Sequence, residues 1–183
     1  MANKQAALRS EQQSAGRLDT AQDAATQDAA LRKELIAGLR GGQAHAKLED
    51  VVKNFPAELR GEKAGLPYSA WQLLEHIRLA QDDIVRFSRN HDGKYKEMNF
   101  PDDYWPKAAA PPSAKAWDAS VAVTQKDREA MVHLLEKEPL TERFPWGDGQ
   151  NLLREAITLI DHNSYHIGEL LALRRLLGIW PPK

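Results

Sequence analysis

Apolar residues in this chain recur at helical spacing, and no segment reads as a strand. Over residues 27–40, Leu31, Leu35, Ile36 and Leu39 fall at i, i+4, i+5 and i+8, one face of a helix that Gly41-Gly42 stops. Residues 43–55 place Ala44, Leu48, Val51, Val52 and Phe55 on one face, and Pro56 closes that stretch. After the loop LRGEKAGLPY, Ser69 stands three residues before Gln72, the spacing of a capping box. Leu73, Leu74, Ile77, Ala80, Ile84 and Phe87 follow at helical spacing as far as Asn90-His91-Asp92-Gly93. Ser113 caps the next pattern, through Trp117, Val121, Thr124, Met131, Leu134 and Leu135, and Pro139 bounds it. The last pattern covers residues 150–177 and ends at Gly178, with Arg174 and Arg175 in turns where a cation suits the helix dipole.

Between the Ser69 and Ser113 patterns, residues 92–112 carry Tyr95, Phe100, Tyr104 and Trp105 among prolines, and no regular element fits. A loop this long in a compact domain is packed by its own side chains and often borders a site. Residues 1–26 are rich in Ala, Gln, Asp and Ser, which reads as a weak helix or a mobile arm. The expected architecture is all-α: an up-and-down four-helix bundle over residues 27–180, with a long irregular crossover loop and an N-terminal helical extension.

Composition narrows the chemistry. The 183 residues suit one domain plus an appendage. There is no Cys, which excludes a disulfide scaffold, a Cys-based zinc ribbon, an iron–sulfur cluster and a thiolate nucleophile. The six His are the remaining nitrogen ligands. A formal charge of −1 argues against a general nucleic-acid binder. The longest apolar stretches are broken by charged residues or His, so no membrane span is expected. The first thirty residues hold no apolar run fit for a signal peptide, which leads to the expectation of a cytoplasmic protein.

Two histidines share one helix face. His162 and His166 are four residues apart, about 400° of rotation and 6 Å of rise, so two imidazoles can meet one cation. A pair at this spacing is not specific alone. His76 holds a similar inward position in the Ser69 helix. Three buried imidazoles without a shared purpose each need a partner, whereas three around one divalent ion satisfy each other and leave a coordination position open. The competing reading is three separate histidines bonded to Glu75, Glu155, Asp161 or Glu169. Nitrogen separations of about 3–3.5 Å, expected for ligands near 2.1 Å from one ion, discriminate the two. Around the trio, Glu169 is a candidate acceptor orienting an imidazole. Tyr165 and Tyr104 are candidate pocket residues, His45 a candidate neighbour, and Trp146 a candidate roof at the entry to the last helix. Gly168 inside a helix implies close approach of a backbone or ligand. No residue stands out as a catalytic base.

LLEHIRLAQDDI (73–84) and DHNSYHIGELLALRRLLG (161–178) resemble the DinB-like superfamily of four-helix bundles. GGQAH (41–45), YWP (104–106) and GDGQNLLRE (147–155) fall in the matching order. The resemblance implies one divalent metal, commonly nickel or zinc, held at His76, His162 and His166. Many relatives have His-Gly-Gln where this chain has Ile167-Gly168-Glu169, and its subgroup often has His where Trp146 stands. Similar bundles include transferases and isomerases that use mycothiol, bacillithiol or glutathione. The leading expectation is therefore a metal-dependent enzyme that activates water or a low-molecular-weight thiol for thiol transfer or hydrolysis of a small-molecule substrate. The alternatives are a metal- or ligand-binding module without turnover and a structural bundle that forms a homodimer through a helix face.

Overall fold

A computed structural model describes residues 22–182. They are all-α, and among them no strand occurs beyond an isolated antiparallel bridge between Arg143 and Asn151. Helix α1 covers residues 22–40, α2 Leu48–Val52, α3 Ala70–Ser88, α4 Ala114–Lys137 and α5 Leu152–Leu176, with a 3-10 turn at Ala57–Leu59. The chain divides into two compact units, 1–35 and 36–183, with the boundary inside α1. In the described part of the first unit, Arg32 pairs with Asp28 one turn earlier. Helix α1 starts five residues before the periodic stretch, because Ala-rich sequence sustains helix without apolar anchors. Of the proposed N-terminal arm, residues 1–21 lie outside the described residues.

In the second unit α3 packs against α4 and α5, and α2 packs against α5. The caps fall where the sequence puts them. The Ser69 hydroxyl accepts from the Gln72 amide while the Gln72 side chain accepts from the Ser69 amide. The Ser113 hydroxyl accepts from the Ala116 amide, and the Asn151 side chain accepts from the Arg154 amide. At the far end of α5, Gly178 takes φ +69°, a left-handed conformation that stops the helix at little steric cost. The core joins Val51 and Phe55 to Leu73, Leu74 and Ile77 of α3 and to Leu170 and Leu173 of α5. Trp117 of α4 closes against Phe55 at 5.4 Å between ring centroids. Truncating one of these fully buried leucines removes about 2–5 kcal/mol.

The 43–55 pattern is only partly helical. Gly41 and Gly42 take positive φ, Ala44 is exposed and Lys47 is extended, so α2 is a five-residue helix starting at Leu48. The apolar match at Ala44 is coincidental. Residues 89–113 form the long irregular connection from α3 to α4. Buried polar groups also tie the helices together. The Gln81 side chain accepts from Asn163 of α5 and donates to the Thr124 carbonyl of α4. Among the described residues no helix is long and apolar enough to cross a membrane.

Candidate metal centre

His76 projects from the middle of α3, and His162 and His166 project one turn apart from the middle of α5. Because α3 and α5 pack together, the three rings meet. One nitrogen from each lies within 4.8 Å of the other two. Nε2 of His162 is 3.1 Å from Nε2 of His76, inside the separation expected of two ligands on one ion.

The remaining ring nitrogens have partners on the outside. His76 Nδ1 lies 2.9 Å from the Tyr104 carbonyl, a pure acceptor, so this nitrogen carries the proton and Nε2 keeps its lone pair. His166 Nδ1 lies 2.6 Å from the Glu169 carboxylate, with the same consequence. His162 Nδ1 faces Asn163 Oδ1 at 3.4 Å, and Asn163 is itself held by Gln81 at 2.9 Å. Burial lowers all three imidazole pKa values. It takes His76 to about 4, with His166 and His162 adding to the shift against the Tyr104 carbonyl. It takes His166 also to about 4, with a contribution from His162. The trio is therefore neutral at pH 7, with one nitrogen of each ring gathered within 4.8 Å of the other two. Nitrogen ligands with fixed outer acceptors suit a borderline divalent cation.

The histidines form part of the wall of an open cleft of about 610 Å³. Trp105 stacks flat on His76 at 3.8 Å and 8°, and its other face takes Tyr68 at 3.8 Å. Tyr165 meets His166 edge-on at 4.9 Å, and its hydroxyl hydrogen-bonds Glu169. Tyr104 lines the cleft and donates its hydroxyl to Asp83 at 2.6 Å. Asp83 also accepts from Tyr95 at 3.1 Å and Arg86 at 3.3 Å. Tyr104 thus touches α3 at both ends: its carbonyl at His76 and its hydroxyl at Asp83, seven residues further along the same face.

Two predicted neighbours lie elsewhere. His45 is exposed, and its Nε2 meets Ser164 Oγ at 3.1 Å in a separate small cavity. Ser164 sits between the two histidines in sequence but points off their helix face. Trp146 donates its indole N–H to the Phe87 carbonyl at 2.9 Å and roofs cavities that contain none of the three histidines. Trp146 precedes α5, and even the first residue of that helix, Leu152, is ten residues, about 15 Å of helix, short of His162. Gly168 has open space around it: a Cβ there would meet nothing within 4 Å, so close approach does not explain this glycine. Of the four carboxylates weighed as separate partners, Glu75 goes to Arg78 and Ser120, Glu155 goes to Arg154, and only Glu169 hydrogen-bonds a histidine of the trio. Asp83 and Trp105 are site residues that the sequence does not single out, Trp105 being one of several aromatics in the 92–112 loop. Asp83 had a signal, since i+7 from His76 is the same helix face.

Fold and site together define an all-α bundle with a three-histidine cluster in an aromatic cleft. Residues 40–170 match the model of the DinB superfamily, and the chain belongs to that superfamily. No curated protein and no solved structure matches it.

Proposed function

We propose that this protein is a divalent-metal-dependent enzyme in which His76, His162 and His166 hold the ion and the cleft admits the group to be activated. The observation that supports this reading is the convergence of three neutral imidazole nitrogens within 4.8 Å, two of them with their outer nitrogens committed. Nickel or zinc matches an all-nitrogen donor set. Bound there, such an ion supplies Lewis acidity that gives a thiol or water a nucleophilic form at neutral pH. The reaction class is thiol transfer or hydrolysis. With no Cys in the chain, any sulfur must come from a small-molecule thiol.

The protein's own contribution is preorganisation. Tyr104 and Glu169 set the tautomers of His76 and His166, and Trp105 holds the plane of His76. The test is to purify the protein without a histidine tag and measure bound metal by elemental mass spectrometry. One ion per chain, lost in His162→Ala, is expected. No stoichiometric ion, or affinity unchanged in His162→Ala, overturns the proposal. A screen of thiols against electrophiles then separates enzyme from binding module: turnover abolished by His76→Ala supports the enzyme, and binding without turnover supports the module.

A further inference from the structure

The cleft beside the histidines has an unusual lining. Three of the four tyrosines in the chain face it, together with Trp105 and Phe100. Phe100 is 79 % exposed and Tyr165 is 66 % exposed, and both sit on this cleft. Ala80 and Ile84 supply an aliphatic floor. Among the described residues no Lys or Arg lines it. Its two carboxylates have internal donors: Asp83 is engaged by Tyr95, Tyr104 and Arg86, and Glu169 by His166 and Tyr165. Away from the histidines the cleft therefore offers a ligand aromatic and aliphatic surface, with no cationic side chain for a phosphate or carboxylate to pair with. An anionic group held against this surface, away from the histidines, would lose hydration without a cationic side chain to compensate. Trp105 is sandwiched between His76 and Tyr68, and the exposed rings on the cleft are those of Phe100 and Tyr165 at the mouth.

We infer that the substrate presents an uncharged aromatic body to this cleft, stacked on Phe100 and Tyr165, with its reacting group directed at the three histidines. The inference rests on the metal-enzyme reading for the reacting group, but the specificity for the body follows from the lining alone. It assigns to the aromatic mouth the discrimination between neutral and anionic compounds that carry the same reactive atom.

The test uses the full chain loaded with zinc and two thiols that differ by one carboxylate group: benzyl mercaptan and 4-(mercaptomethyl)benzoate. Benzyl mercaptan is expected to bind at least about tenfold tighter by calorimetry, since with the thiol at the zinc the carboxylate, para to it, meets no cationic side chain. Phe100→Ala removes an exposed ring, so folding and zinc content are expected to stay the same. Benzyl mercaptan binding should fall by about 3- to 10-fold, the value of one aromatic contact. Equal affinity for the two thiols, or no effect of Phe100→Ala, overturns the inference. A second arm removes the metal with chelator and follows binding of 2-naphthalenemethanol, a neutral fluorescent probe without a thiol. Binding that weakens in Phe100→Ala upholds the aromatic specificity even if no ion is ever found at the histidines. No binding of this probe overturns the inference while leaving the metal reading intact.

Discussion

A histidine meets a tryptophan at two places along α3 and just beyond it, and the two places behave differently. His76 lies flat against Trp105 at 3.8 Å and is 5 % exposed. His91 meets Trp146 edge-on at 5.1 Å and is exposed. Both pairs border cavities, one of about 610 Å³ and one of about 220 Å³. At His76 two more imidazoles and two outer acceptors converge. Around Trp146 the polar side chains of Glu138, Glu142 and Arg143 line a cavity without forming such a cluster among the described residues. The pairing of residue types is the same, and so is the concave aromatic surface. What separates a site from a packing contact is the number of imidazole nitrogens gathered together, and the burial that keeps them unprotonated.

The largest expected effect breaks the comparison outright. His162→Ala should weaken zinc binding by more than about 100-fold, beyond what loss of an outer partner does, in competition with a chromophoric chelator. His91→Ala should leave it unchanged. Next, Tyr104→Phe removes the hydroxyl held by Asp83 while keeping the carbonyl on His76. Zinc affinity should fall by about tenfold with little change in melting temperature, which separates a positioning role from a structural one. Trp146→Ala should do the reverse: a loss of about 1–3 kcal/mol in chemical denaturation with zinc affinity intact.

A fourth effect depends on pH. Burial holds His76 and His166 near 4 in the folded chain, against 6.5 when free. Between these values the unfolded chain binds more protons, so acid favours unfolding. The stability these groups contribute is present above pH 6.5 and is lost as the pH falls through about 4. The melting temperature of metal-free protein should fall from pH 7 to pH 5, and the His76→Gln/His166→Gln double variant should flatten that slope. The smallest effect is Gly168→Ala, expected to add about 0.5–1 kcal/mol because the position is helical and open.

The helices and the trio were legible because their signals are local and periodic. The capping box at Ser69, the apolar stripe through Ile77 and the four-residue spacing of His162 and His166 each follow from helix geometry alone. His76 could be assigned because its flanking apolar residues mark the same buried face. The failures share a cause. Trp146, His45 and the Asp83–Tyr104 contact depend on where a non-periodic segment lands, and no rule of spacing within 41–47, 89–113 or 141–150 encodes that. The 43–55 pattern misled because five apolar positions can match a helix by chance when a glycine pair has already turned the chain.

One contact gives the irregular crossover an unexpected dependence. Tyr104 reaches α3 at His76 and again at Asp83, points separated by about 10.5 Å of helical rise. A loop anchored at two marks on one rod cannot slide along it without breaking one of them. The register of the crossover, and with it the placement of Trp105 on the His76 ring, is therefore measured out by the pitch of α3. The least regular segment of the molecule takes its dimensions from one of the most regular.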